Sequence, residues 1–257
     1  MKIIAVILMF ISCAVCASES TIDESVETLP KGFRPSSFKD VWTKLILKKK
    51  PEKKEYERTE QYEARLAAWD ENQKNKAPNT LWLYIPNINN NNFTIDYNAD
   101  LERFDIAIRP MVLNAYGQGN GKFLMRYNNQ NLGSYTATNR FGAAYKVQKE
   151  ITYSDQIVFS GNSKSEKLDS DYVLYATTSE AKDIKNNIAL LLHGSIDTPY
   201  ATEIRGRITP DADYLYDTTT IERNVYFKPE GVWIVNRKTG AIYYKLDWSY
   251  VNWSSVN

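Results

Sequence analysis

The apolar residues of this chain keep two different periods, one before Pro78 and another after it. Phe38, Val41, Trp42, Leu45 and Ile46 fall three and four residues apart, which places them on one face of a helix. Ser37, with Asp40 three residues on, supplies a start for that helix, and Pro51 supplies a stop. A second helix follows the run KKKPEKK: Thr59 is its expected N-cap, Tyr62, Leu66 and Trp69 recur at i, i+4 and i+7, and Pro78 closes it.

Beyond Pro78 the spacing shortens to two. Leu81 to Ile85 is an aromatic and β-branched run, and Phe104, Ile106 and Ile108 alternate with Asp105 and Ala107. Tyr145, Val147, Ile151 and Tyr153 share a strand face, with a break at Lys149 that predicts a bulge or a strand end. The stretch SEAKDIKNN reads as a short helix capped by Ser179, running directly into a buried strand over residues 188–192. The stretch GVWIVNRKTGAIYYKLDW reads as a hairpin turning over residues 236–240, with Ile242, Tyr244, Leu246 and Trp248 pointing one way. About ten strands at hairpin spacing, preceded by helices, predict an α+β fold. Its expected form is an N-terminal helix pair packed on a mainly antiparallel β-sheet, sandwich or open barrel.

The first residues change the picture by pointing to a compartment. Lys2 is followed by an apolar run from Ile3 to Ile11 and then by small residues, the plan of an export signal. A cut after Ala17, with Val15 and Ala17 at the recognition positions, would discard Cys13 and Cys16. The alternative is a lipoprotein cut before Cys13, leaving an acylated chain on the outer membrane. The first outcome makes a periplasmic protein without disulfides, whose stability must come from its core. The chain then divides into a signal peptide over 1–17, a flexible leader over 18–35, a helical segment over 36–78 and a β-rich domain over 79–257.

Charge adds mainly exclusions. The sequence has 32 Lys and Arg against 31 Asp and Glu, and loss of Lys2 with the signal balances them. A neutral surface offers no general attraction to nucleic acid, and no later stretch is apolar enough for a transmembrane segment. The basic run KKKPEKK reads as a solvated linker, diluted by Glu52 and Glu55, rather than as a phosphate or lipid patch.

Candidate chemistry is sparse. In YGQGNGKF the glycines at 117, 119 and 121 precede Lys122, yet Tyr116 and Phe123 occupy positions where a phosphate-binding loop needs Gly and a hydroxyl residue. The segment reads as a loop between strands. His193, the sole histidine, is followed by Ser195 and Asp197, and alternation puts His193 and Ser195 on one strand face as a possible polar site. The absence of a G-x-S-x-G elbow favours a structural histidine. One histidine cannot complete the usual zinc sets, and the acidic clusters at 169–171 and 211–213 do not continue into calcium loops, so no metal and no cofactor are expected.

Aromatic residues remain, 18 Tyr and 6 Trp, enough to serve both a sheet core and a recognition surface. The tail LDWSYVNW places Trp248 and Tyr250 on one strand face with Trp253 nearby, making these three the candidate binding residues.

Several segments together resemble a layout found in uncharacterised exported bacterial proteins. These are EYERTEQYEAR, with Tyr56, Tyr62 and Arg65; NRFGAAYKV, with Asn139, Phe141 and Gly142; and SEAKDIKNNIALLLHGSI followed by VWIVNRKTGAIYYKL. The family layout has an E-[FY]-E-T-x-E-[FY]-x-x-R helix, an N-x-F-G-A strand motif and a terminal hairpin with a T-G turn. The resemblance implies a bacterial envelope location and no catalytic residues. In structural terms Gly142 would permit a bulge, Phe141 and Tyr62 would pack in the core, and Arg65 would pair with an acid. The expected function is a non-catalytic module that binds an envelope protein or glycan. The alternative is an envelope glycan or peptidoglycan hydrolase with a carboxylate pair that leaves no local mark.

Overall fold

The computed structural model describes residues 25–46, 50–87, 92–108, 121–160, 170–211 and 214–248. The expected signal peptide, both cysteines, Tyr250, Trp253 and most of the glycine-rich loop lie outside these residues. The fold is α+β and predominantly β, with three helices and no closed barrel among the described residues.

The first helix, α1 (Phe38–Ile46), forms where its periodicity predicts. Ser37 Oγ accepts from the Asp40 N–H at 3.1 Å and donates to the Asp40 carboxylate at 2.6 Å. Phe38, Val41, Trp42 and Leu45 are buried, each worth about 1.5–3 kcal/mol. The second helix, α2 (Thr59–Lys76), has a different start from the expected one. Its N-cap is Arg58, whose backbone N–H donates to the Gln61 side chain at 3.3 Å, so Thr59 is already inside the helix. Gln73 is the only residue of α2 that is buried, and its Nε2 donates to the Leu45 carbonyl at 2.7 Å. Trp69 meets Tyr200 edge to face at 6.1 Å.

Nine strands follow among the described residues: β1 (Leu81–Ile85), β2 (Phe93–Asn98), β3 (Arg103–Ile108), β4 (Lys122–Thr138), β5 (Ala144–Phe159), β6 (Ser170–Tyr175), β7 (Ile188–Ile208), β8 (Tyr216–Asn236) and β9 (Ile242–Asp247). The large sheet has the order β1-β7-β8-β5-β4, with β9 beside the last part of β8. The small sheet has the order β2-β3-β6. Every pairing is antiparallel except β5 with β8, where the chain returns in the same direction after β6, a helix and β7. That helix, α3 (Thr178–Asn187), is capped by Thr177 rather than Ser179: the Glu180 carboxylate accepts from the Thr177 N–H at 3.1 Å and its hydroxyl at 2.6 Å.

The inner face of the large sheet, with Leu83, Phe159, Leu192, Phe227 and Ile234, shares one core with α1 and with Phe93, Phe104 and Ile106 of the small sheet. The outer face carries a second cluster built on Trp82, Leu191 and Trp233. That cluster is covered by residues 26–33, which the composition assigned to a flexible leader. Leu29 is buried there, its N–H donates to the Gly240 carbonyl at 2.8 Å, and Glu27 accepts from Ile242 at 3.0 Å. A few apolar residues in a polar segment suffice when backbone partners wait at a hairpin turn.

Two local irregularities bear on the expected strands, the first as the predicted bulge and the second as a departure. The break at Lys149 is answered on the neighbouring strand, where Leu132 and Gly133 together oppose it as a bulge. In the hairpin of β8 and β9, a register shift between Ile234 and Val235 turns Ile242 to the outer cluster, while Tyr244, Leu246 and Trp248 face the inner core. The turn itself forms over residues 236–240: Asn236 Oδ1 accepts from Lys238 and Thr239, and Gly240 takes the positive φ of 79° that favours glycine.

Candidate functional site

Two places on this framework gather residues able to recognise something. The first is a cleft of about 690 Å³ where the edge of β8 passes from β5 to β9. Its described lining comprises His193, Pro229, Glu230 and Trp233 from one side and residues 245–248 from the other. His193 is buried, stacked on Trp82 at 4.4 Å, with Glu230 at 3.6 Å from Nδ1. The ring leaves no room for a larger neighbour: a Cβ on Gly231 would stand 2.7 Å from His193 Nε2. Here Lys245 lies over the Trp233 ring at 5.0 Å, and Trp248 meets Phe159 edge to face at 4.7 Å.

The structure therefore joins two sequence candidates, His193 and Trp248, that nothing local connected. Ser195 is two residues further along β7, opposite Lys228, and is not among the described lining residues. Glu230 and Asp247 reach this cleft through a bulge in β8 and the return of β9, and sequence reasoning passed over both.

The second place is larger. Beyond the cores, β4, β5, β7 and β8 continue together as a four-stranded extension comprising residues 126–155, 201–208 and 216–223. Apart from the partly buried Ala201 at its root, no residue of this extension joins either hydrophobic core, although Val147 and Ile221 are buried on its inner face. Among the described residues, all the exposed large apolar side chains except Tyr56, Leu101 and Tyr175 lie on it or its turns. Tyr127, Tyr216, Ile204 and Ile208 share the outer face, as the register requires. Phe141 stands at the tip, 80% exposed, on a turn in which Asn139 Oδ1 accepts from the Phe141 and Ala143 N–H groups at 3.0 Å each.

Phe141 thus does not pack in the core, and Gly142, with φ 84°, serves that turn rather than a bulge. A side chain that marks a turn tip and one that marks a core look alike in sequence. Arg65 does pair with an acid, donating to both oxygens of Glu57 at 2.9 and 2.7 Å. This pairing, with the Lys54 backbone N–H, draws the Glu57 carboxyl down from its ordinary 4.5 to about 2.

On the inner face of the extension an ion ladder runs across the strands. Arg126 meets Asp155 at 2.8 Å, Arg223 lies 3.9 Å from Asp155 and 3.6 Å from Glu203, and Arg205 reaches Glu203 at 2.7 Å. Arg207 donates to both oxygens of Asp217 at 2.9 Å, and the Tyr135 hydroxyl donates to the same carboxylate at 3.2 Å. The Arg207 guanidinium holds the Asp217 carboxyl below its usual range. These carboxylates are committed to arginines, so they hold strands together rather than wait for a proton.

The remaining sequence candidates have structural places. Lys122 begins β4, buried in a strand, where desolvation lowers its pKa; it does not stand at a helix N-terminus where a phosphate cradle would put it. Asp211 closes a turn by accepting from the Tyr214 N–H at 2.8 Å. No group of acidic, histidine or cysteine residues suited to a metal occurs among the described residues. No described helix is long and apolar enough to cross a membrane. Neither family models, curated proteins nor solved structures gave a significant match to the chain.

Proposed function

We propose that this is an exported bacterial envelope protein acting as a non-catalytic binding module, and that its four-stranded extension is the surface that meets a protein partner. One observation carries this reading: exposed apolar side chains collect on a part of the molecule that neither core needs. Folding alone does not call for Tyr127, Ile204, Ile208 and Tyr216 on one solvent-facing sheet surface, whereas recognition does. The signal-like N-terminus and the resemblance to exported proteins support the location, periplasmic with a cut after Ala17 or outer-membrane through Cys13. An intact mass beginning at Ser18 supports the former; an acylated chain beginning at Cys13 supports the latter.

The test places a photoreactive amino acid at Tyr127 or Tyr216 in cells exporting the tagged protein. The expected result is one discrete adduct containing an envelope protein. Absence of any adduct at both positions overturns the reading, and recovery of glycan instead redirects it.

The hydrolase alternative has its own observation, since Glu230 and Asp247 share the cleft of His193. Turnover of purified cell-wall material that disappears in both Glu230→Gln and Asp247→Asn would establish it over the binding module.

A further inference from the structure

The extension has two outer strands, and they are finished differently. The β4 edge is blunted. Its pairing with β5 is interrupted between Leu124 and Arg126 and again between Asn131 and Ser134. Near its core end Asn92 imitates a neighbouring strand: its Nδ2 donates to the Leu124 carbonyl at 2.7 Å and its Oδ1 accepts from the Leu124 N–H at 2.8 Å. Bulges and side-chain plugs of this kind are how sheets discourage edge-to-edge pairing.

The far half of β7 has neither device. From Ala201 opposite Val225 to Ile208 opposite Thr218 the register with β8 runs without interruption. β1 takes the other edge of β7 only from Leu190 to Gly194, and no other described strand takes the rest. The side chains on this edge are sorted. Ile204 and Ile208, about half exposed, lie on the outer face. Arg205 and Arg207 lie on the inner face with side chains 70% and 63% exposed, whereas their carboxylate partners Glu203 and Asp217 are only 27% and 5% exposed. The rim therefore shows solvent two isoleucines on one side of the pleat and two guanidinium groups on the other.

We propose that residues 201–208 of β7 form a β-augmentation site for an extended segment of another polypeptide, one in which apolar residues alternate with acidic ones. The apolar residues would lie beside Ile204 and Ile208, the acidic ones beside Arg205 and Arg207, and the backbone would complete the ladder. This inference rests on the reading of the extension as a binding surface and names what that surface takes.

The probe is a capped seven-residue peptide in which valines alternate with threonine, aspartate and glutamate; its control has the same residues with the valines placed together. The full mature protein should bind the alternating peptide saturably, with amide exchange slowed at residues 202–208 and unchanged along β4. Ile204→Lys with Ile208→Lys should weaken binding about tenfold or more, and Arg205→Glu should weaken it in a salt-dependent way. Urea unfolding of each variant, expected to match the parent, separates lost binding from lost folding. Equal binding of the control peptide, protection confined to β4, or indifference to the isoleucine substitutions would overturn the proposal. So would a dimer of this chain abolished by the same isoleucine substitutions, since the occupant would then be a second copy. If photoadducts still form at Tyr127 or Tyr216 when the peptide test fails, the edge site falls alone; if no adduct forms, the binding-module reading falls with it.

Discussion

The two ends of the large sheet are made from the same strands and are held by different forces. In the core half, β7 and β8 run Leu190, Leu192, Val232 and Ile234 against α1 and the small sheet, all fully buried. In the extension the same two strands carry Ile204, Arg205, Arg207 and Glu222, outside both cores, and what joins them is the backbone ladder, the buried Ile221 and the Arg223–Glu203 and Arg207–Asp217 rungs. A strand is thus stable or merely supported according to what lies on its faces. On the proposed reading, the contrast also separates residues whose loss unfolds the protein from residues whose loss removes only binding.

The largest expected effect lies in the core half. Phe227→Ala removes a fully buried ring from the inner core and should cost about 3–5 kcal/mol in urea unfolding. Gly194→Ala tests the bulge at which β7 and β8 pass the His193 cleft, within the core half. Its φ is 156°, and an added Cβ would stand 2.2 Å from the Lys228 carbonyl, which cannot retreat without moving β8. The expected cost is about 1–3 kcal/mol, with disturbance of the neighbouring His193 cleft seen as altered tryptophan fluorescence. A neutral Gly194→Ala would show that β8 yields at this bulge and that the core half is less rigid there than the close approach implies.

Acid should divide the halves without any substitution. The folded pKa of Asp217 is depressed, chiefly by hydrogen bonding to Arg207, so its contribution is complete above the ordinary value of 3.8 and is lost as pH falls through the lower folded value. Amides of residues 205–208 and 217–221 should therefore gain exchange rate, corrected for the intrinsic pH effect, below about pH 4, while those of residues 190–192 and 232–235 hold. Asp217→Asn should abolish this difference. Uniform loss of protection across both halves would mean that the extension unfolds only with the core.

The halves were also unequally legible in sequence. The core half announced itself: the apolar run at residues 81–85, the alternation at residues 104–108 and 244–248, the cap at Ser37 and the turn at residues 236–240 are local signals that burial then enforces. The extension was legible only over residues 145–153, where alternation marks β5; Asn128, Asn129, Gln130 and Asn131 carry no apolar period, because a sheet outside a core need not alternate apolar with polar. Its rungs join residues far apart in sequence, such as Arg126 with Asp155 and Tyr135 with Asp217. The candidate site was half legible for the same reason. Trp248 and His193 drew notice as residue types, but their common cleft depends on the bulge at Glu230 and the return of β9. Leu29 was missed because its partners are a distant turn and a tryptophan cluster, which no nearby periodicity reveals.

The smallest expected effect on stability is the one that sharpens the contrast most. Ile208 is half exposed at the end of β7, and Ile208→Ser removes apolar surface that folding barely covers, so unfolding should shift by no more than about 0.5 kcal/mol. Serine also tolerates the extended backbone, and the register from Ala201 to Ile208 should persist in amide exchange. On the proposed reading, an isoleucine exposed in such a position is accounted for by what it meets outside the chain. If Ile208→Ser instead costs as much as Phe227→Ala, the extension is buried in solution by something the chain itself provides. Its exposed side chains would then belong to folding, and the difference between the two halves would disappear.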